Sequence, residues 1–295
     1  MYLDALKVFC DLVETSSFSK AAALNGITQS AVSQQIRNLE TRLACILIER
    51  KRRNLSLTPE GQVFQQACKD ILQTWKQLEG QLKNLKNEVA GQLRIASIYS
   101  IGLHELPPRL KFFREKFPQV EVKVEYRRSP QVYELVEEGQ ADLGLVAFPT
   151  KRAALIHEIF DEDRLVIICH PEHPLARKKR VSLTALSGER FIAFEPDTPT
   201  RKMIDRHLRD ADVNVVHSAE FDNIETVKRA VEIESGLSIV PANTVSQEVE
   251  CGQLAAVEID APRMSRPLGF ILSKKRSRPP GLKELIEAIK EDCKG

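Results

Sequence analysis

The sequence predicts an α/β protein in three parts: a small helical unit with a helix-turn-helix and a β-hairpin wing at residues 1–58, a long helix at 59–90, and a larger region of alternating strands and helices at 91–295. Three observations carry this. Apolar residues recur at helical spacing on both sides of an Asn25-Gly26 turn. From Pro59 to Ala90 no further proline interrupts a stretch with an apolar residue every third or fourth position. Beyond Ala90-Gly91, strand-like and helix-like runs alternate.

A chain of 295 residues has room for two domains at ~100–200 residues each. Hydrophobic residues at 42% and charged residues at 28% give a globular balance. No apolar run approaches the ~18 residues of a membrane span, and Met1-Tyr2-Leu3-Asp4 lacks the basic start of a signal peptide. The expectation is a cytoplasmic protein with no membrane contact. The six cysteines form no Cys-x-x-Cys pair, so reduced thiols are expected rather than a zinc or redox motif. The net charge is only +2, so affinity for a polyanion must come from a local patch. The clearest is Arg50-Lys51-Arg52-Arg53, with Arg42 nearby.

Leu3, Leu6, Phe9 and Val13 mark the first helix. Ser16 and Ser17 offer caps for a second, Phe18–Leu24, whose three alanines allow the next helix to cross at close range. Asn25-Gly26 supplies a turn with positive φ, Ile27 plugs the core, and Thr28 caps a third helix through Glu40. In that helix Val32, Ile36, Leu39 and Leu43 face inward, while Gln29, Ser30, Ser33, Gln34 and Arg37 point away. Amide, hydroxyl and guanidinium groups suit base edges, since Gln pairs bidentately with adenine and Arg with guanine. The plain alternative is a solvated polar face on a helical hairpin. Ile46–Leu57 reads as a hairpin wing with a basic tip, and Thr58-Pro59-Glu60-Gly61 as the start of a new helix.

Phe18-Ser19-Lys20-Ala21-Ala22, Gln29-Ser30-Ala31-Val32-Ser33-Gln34-Gln35-Ile36, Leu39-Glu40 and Leu57-Thr58-Pro59-Glu60-Gly61 occur in order without gaps. Together they resemble the winged helix-turn-helix signature of LysR-type transcriptional regulators. Two positions depart from that pattern: Ala44 stands where the family carries Gly, and Ile48 where it carries Phe. The DNA-facing candidates are Ser19, Lys20, Gln29, Ser30, Ser33, Gln34 and Arg37, with Arg50, Arg52 and Arg53 for phosphates.

In the long helix Phe64, Cys68, Ile71, Trp75, Leu78, Leu82, Leu85 and Val89 alternate steps of four and three, a seam for a second helix. At ~45 Å it would overrun a small winged domain. Parallel or antiparallel pairing between two subunits is expected, and the resemblance implies the same linker-helix dimer.

Strand-like runs follow at Val120–Tyr126, Asp142–Phe148, Leu165–Cys169, Leu237–Val240 and Pro267–Leu272, after one starting at Gln92. Helix-like runs are Leu103–Phe117, Gln131–Glu138, Thr200–Arg209, Asn223–Val231 and Leu282–Asp292. The alternation favours largely parallel sheets, in one sheet or two. The segments Gly139–Leu145, His173–Ala176 and Gly236–Pro241 resemble the effector domain of the same family. The resemblance implies a two-lobed form like periplasmic solute-binding proteins, with lobe one at 91–162 and 268–295, lobe two at 163–267, and hinges near Asp163 and Pro267.

Ligands of doubly wound sheets sit where helix N-termini point inward, past the strand ends. Three loops qualify. They offer Ser97, Tyr99 and Ser100; Arg128 and Ser129; and Thr198, Thr200 and Arg201. Phe148, ending a strand-like run, joins the set. The third loop, Glu195–Arg201, resembles a Glu-Pro-Gly-Ser-Gly-Thr-Arg loop of some family members, with Asp197 and Pro199 in place of glycines. A small anionic effector of unknown identity is expected, and no cofactor. Plain helix capping is the alternative for each hydroxyl.

The six histidines form no His-Glu-x-x-His motif, and His170 and His173 flank a polar turn, so no metal or catalytic site is expected. A solute-binding or sensor protein without a transcriptional role would explain only the back half. The whole sequence fits a DNA-binding regulator that partners duplex DNA, a small effector and further copies of itself as a homodimer or homotetramer. RNA polymerase is a further expected partner.

Overall fold

The computed structural model describes residues 2–51, 54–84, 89–261 and 264–291. The chain divides into two compact units, residues 1–86 and 87–295. No helix among the described residues is long and apolar enough to cross a membrane.

The first unit contains helices α1 (Tyr2–Thr15), α2 (Phe18–Asn25) and α3 (Gln29–Leu43), strands β1 (Ile48–Lys51) and β2 (Asn54–Leu57), and helix α4 (Pro59–Asn84). The caps fall where the sequence offers them. Ser17 accepts from the Lys20 amide, Gly26 ends α2 at φ 63°, and Thr28 accepts from the Ala31 amide. Val8, Phe9, Leu12, Ala21, Ala22, Val32, Ile36, Leu39 and Leu47 form the core, and Phe9 meets Phe64 edge to face at 5.0 Å. Leu43 departs from the inward stripe: it is 45% exposed, because α3 ends there and the chain turns away.

That turn places Ala44 at φ 51°, ψ 33°, the left-handed conformation that a residue with a Cβ adopts at a cost. The glycine expected by resemblance at this position thus has a physical reason. Ala44→Gly is expected to stabilise the first unit by about 1 kcal/mol. Thermal unfolding checks it, with a rise of about 4–8 °C per kcal/mol for a unit of this size. An unchanged midpoint would refute it.

The wing is a two-stranded antiparallel hairpin with Ile48 opposite Leu57. Its base is tied on both sides. Glu40 Oε1 accepts the Leu47 and Ile48 amides at 3.0 and 3.2 Å, and Thr58 Oγ1 donates to the Ile46 carbonyl at 2.7 Å and accepts the Gly61 amide at 2.9 Å. Here α4 passes so close to the wing that a Cβ on Gly61 would lie 2.1 Å from the Leu47 carbonyl oxygen.

Helix α4 begins as part of this core and leaves it. Cys68 is fully buried and Phe64 half-buried, so the first two seam positions pack within their own unit. Ile71, Trp75, Leu78 and Leu82 are exposed at 43–55%. Leu85 lies outside the described residues. Val89 is past the helix and packs on the core of the second unit, so the seam does not extend to it.

The second unit holds β3 (Gly91–Ser97), α5 (Leu106–Lys116), β4 (Val120–Tyr126), α6 (Ser129–Glu137), β5 (Leu143–Ala147) and β6 (Leu155–Cys169). Then come β7 (Arg180–Val181), β8 (Arg190–Phe194), α7 (Pro199–Asp210), β9 (Val216–Phe221), α8 (Ile224–Glu232) and β10 (Ser238–Pro241). It ends with α9 (Ser246–Glu250), β11 (Ala255–Ile259), β12 (Ser265–Ser273) and α10 (Leu282–Lys290). A π-helical turn, Ile101–Glu105, precedes α5.

Lobe one is the sheet β4-β3-β5-β12-β6. On one face α5 and α10 cover Leu93, Ile95, Leu143, Leu145 and Phe270, and on the other α6 covers Ala96, Val146 and Ile271. In lobe two, β6 continues between β10 and β11, and β8 pairs with β9 and bridges to Leu237. Ile167, Ile168, Phe191, Ile192, Val227, Val231, Ile239 and Val257 fill its core.

The sheets are mixed rather than largely parallel. β6 and β12 are the crossovers, and each runs antiparallel to its neighbours in lobe one. The expected hinges at Asp163 and Pro267 lie inside this ladder, with Asp163 opposite Arg266 and Pro267 opposite Glu162. The partner change comes between Arg164, paired with Ser265, and Leu165, paired with Pro241. The lobe boundaries therefore shift to 164/165 and 264/265, because strand pairing persists past the expected breakpoints.

Candidate DNA-contacting face and ligand cleft

Helix α3 presents the polar face its sequence specifies. Gln29, Ser30, Gln34 and Arg37 are exposed and Ser33 half-buried, while Val32, Ile36 and Leu39 on the opposite side are buried. Asn38, absent from the candidate set, is exposed beside them and accepts from Gln34 Nε2 at 3.0 Å. Its signal was the i, i+4 spacing of two amides. No carboxylate stands between Gln29 and Asn38, and the next one, Glu40, is occupied by the wing amides. The face is thus a row of donors and acceptors without a negative charge to repel phosphates. Ser19 and Lys20 are exposed in the first turn of α2. Arg50 lies in β1, and Arg52 and Arg53 lie outside the described residues.

In the second unit the three expected loops come together. A cleft of ≈ 150 Å³ is lined by Tyr99 and Ser100, by Arg128 and Ser129, and by Thr198 and Thr200. Ile98, Arg127, Pro130, Ala147, Phe194, Asp197, Pro199, Asp222, Asn223, Ile224 and Arg266 complete it. The first turns of α6, α7 and α8 open onto this space, so their backbone N–H groups bias it toward negative charge. Thr198 caps α7, accepting the Arg201 amide at 3.3 Å, and Asn223 caps α8, accepting the Thr226 amide at 3.0 Å. Helix α6 has Arg128 at its cap, with Ser129 as its first residue, so Ser129 does not take the capping role expected of it. A guanidinium has no acceptor to offer that helix end.

Three expected ligand residues are placed elsewhere. Ser97 is fully buried and donates to the Ile98 carbonyl at 3.0 Å. Phe148 sits at φ 52°, donates its amide to the Pro267 carbonyl at 2.8 Å, and packs its ring on the lobe-one core. Arg201 turns inward. Its Nε donates to Asp205 at 2.7 Å, and its Nη1 to Glu220 at 2.9 Å and the Phe194 carbonyl at 2.6 Å. Two carboxylates already balance it, so it anchors α7 to β8 and β9 instead of facing a ligand.

Arg266 was missed, although it is the most buried cation of the cleft at 3% exposure. Its guanidinium donates to Asp163 at 2.7–2.8 Å and to Ser100 Oγ at 3.0 Å. No local pattern announces it, since only the pairing of β12 with β6 brings it there. Around it lies a buried polar network. Glu105 accepts from Arg109 and Asn243, and Arg109 also donates to Asp161 at 2.9 Å. His104 meets Glu225 at 2.9 Å, a further link from lobe one to α8.

His170 and His173 use Nδ1 to accept the Glu172 and Leu175 amides at 3.3 and 3.2 Å, a turn-stabilising role. His170 also lies within 4.8 Å of carboxylate oxygens of Glu172 and Glu234, both exposed. Cys10, Cys45, Cys68, Cys169 and Cys251 are free thiols, and burial pushes Cys169 up to about 11.

Two family descriptions match the chain: "Bacterial regulatory helix-turn-helix protein, lysR family" over residues 3–62, and "LysR substrate binding domain" over residues 86–294. A probable RuBisCO transcriptional regulator of Cyanidioschyzon merolae is 32% identical over 280 residues, covering 93% of this chain and 92% of that protein. Among solved structures, full-length CbnR complexed with its target DNA is similar in fold, with a TM-score of 0.76 at 20% identity, over 98% of this chain and 99% of CbnR. The regulatory domain of Synechocystis PCC6803 CcmR, in complex with 2-PG, is similar over 68% of this chain and 95% of that domain, with a TM-score of 0.61 at 25% identity.

Proposed function

The chain belongs to the LysR family of DNA-binding transcriptional regulators, and from that premise we propose that α3 reads an operator while an anionic effector in the cleft adjusts how the protein holds DNA. It is a regulator and not an enzyme. The observation that carries the reading side is the outer face of α3, five candidate base-reading residues with no carboxylate among them. Gln29, Ser30, Ser33, Gln34 and Arg37 contact base edges; Ser19 and Lys20, with Arg50, Arg52 and Arg53 of the wing, hold phosphates.

The exposed stripe Ile71, Trp75, Leu78 and Leu82 supports a homodimer, since the same stripe on a second copy would cover it. Two copies then present two α3 helices to a roughly palindromic site. A dimer of dimers, contact with RNA polymerase and a cytoplasmic setting complete the proposal, with no cofactor required. The three helix N-termini around the cleft support an anionic effector. Such a ligand shifts the protein only through different affinity for its two arrangements.

The test is salt-dependent binding to the chain's own upstream intergenic DNA against a scrambled duplex. Arg37→Ala is expected to lose about 1–3 kcal/mol of discrimination. Equal, weak binding to both duplexes that ignores the substitution would sink the assignment of α3. The switching half fails if saturating effector alters neither DNA affinity nor bend angle.

A further inference from the structure

The mouth of the cleft carries an ion pair that joins the lobes. Arg128, at the cap of α6 in lobe one, reaches the loop before α7 in lobe two. Its Nη2 donates to both Asp197 oxygens at 2.8 Å and also meets Glu195. Asp197 and Arg128 both line the cleft, with side chains 59% and 38% exposed. The same arrangement recurs deeper, where Arg266 is held by Asp163. Each of these guanidiniums thus faces a carboxylate of the chain itself. At Arg128 that carboxylate stands beside the start of α6, where Gln131 Oε1 accepts the Arg128 amide at 3.3 Å and the Arg128 side chain offers no acceptor. An effector oxyanion would seek the same position.

We propose that Asp197, with Glu195, is a tethered stand-in for the effector's charged group: it straps lobe two to Arg128 across the mouth of the cleft, and a dianionic oxyanion that takes Arg128 releases the strap. This rests on the reading that the cleft binds an anion. A monocarboxylate would only exchange one carboxylate for another against a competitor tethered nearby, at an effective concentration on the millimolar scale. A phosphate-type group carries about −1.5 to −2 charges at pH 7 and three acceptor oxygens. It can hold Arg128 and the α6 amides together. Asp197, which takes the place of a glycine in the related loop, thereby becomes the residue that sets ligand class.

The full-length protein and its Asp197→Asn/Glu195→Gln variant test this in a phosphate-free buffer at constant ionic strength. Hydrogen exchange without added anion is expected to be several-fold faster in the variant at residues 195–201 and also at 126–133 on the opposite lobe. Inorganic phosphate, titrated by the protection it gives the amides at 126–133, is expected to half-saturate the variant at about 2–5-fold lower concentration, the competition a partly exposed ion pair provides. Acetate should protect the wild type less than phosphate does, and Arg128→Ala should remove the phosphate effect. Unchanged exchange at 126–133 would overturn the strap. An unchanged phosphate midpoint would overturn the competition. If phosphate protects neither form, the release step falls together with the anionic reading of the cleft, while the DNA-binding assignment stands on its separate test.

Discussion

Asp163→Ala is expected to destabilise the second unit by about 3–5 kcal/mol, because it leaves the Arg266 guanidinium buried without its partner. Thermal unfolding should show a fall of about 2–4 °C per kcal/mol for a unit of this size. The double replacement Asp163→Leu/Arg266→Met is expected to recover most of that loss. Burial raises the Asp163 pKa, and the attraction of Arg266 does not offset it; burial likewise lowers that of Arg266. Both shifts point toward the neutral forms, so the pair does not recover the cost of leaving water. The native state holds the Asp163 proton more tightly than the unfolded chain does. Its contribution to stability is therefore full below the ordinary aspartate range and is lost as pH rises through the raised value. A double variant as unstable as the single one would show that the pair is a net source of stability. On the present geometry it fixes the register of β6 against β12 and positions Ser100 at the cleft.

Gly61→Ala should cost about 3 kcal/mol or more in the first unit, the upper range for an overpacked site. The added Cβ would meet a backbone carbonyl, that of Leu47, which cannot rotate out of the way as a side chain would. The same carbonyl accepts the Thr58 amide at 3.1 Å, so moving it also breaks the cap of α4. The thermal midpoint of this unit is expected to fall by more than about 10 °C, and sequence-selective DNA binding to fall with it. A variant that keeps the wild-type midpoint would show that the wing and α4 separate at little cost.

The parts of the molecule legible in the sequence are those whose cause is local. The caps Ser17, Thr28 and Thr198 and the two faces of α3 each depend on residues within a turn or two. The three cleft loops were legible for the same reason, as strand ends followed by hydroxyl residues next to a helix start, of which Thr198 is the one that caps its helix. The first ten residues of β6, Leu155–Arg164, were not: most are exposed, the apolar Ile156 and Ile159 among them, without alternation, and pairing with β12 more than a hundred residues later makes them a strand. β9 is similar, largely exposed and held by β8. Arg201 had the right spacing for a ligand contact, but Asp205 one turn later and Glu220 on β9 claim its donors. Arg266 has no signal in its neighbours at all. Sequence spacing identifies which side chains share a surface; partners distant in the chain decide which of them are still free to bind.

The passage of β6 through both lobes also dictates an order of assembly. Lobe two is one continuous stretch, bounded by β6 and β12, so a growing chain can complete it as soon as residue 264 has left the ribosome. Lobe one has β3, β4 and β5 in place far earlier, but it stays open along the edge of β5 until β12 and α10 are made. The first unit, wholly encoded in residues 1–86, folds before either. Each nascent molecule therefore acquires its DNA reader first and completes the cleft between its lobes last, and a message cut short before codon 265 would yield a reader that no effector can govern.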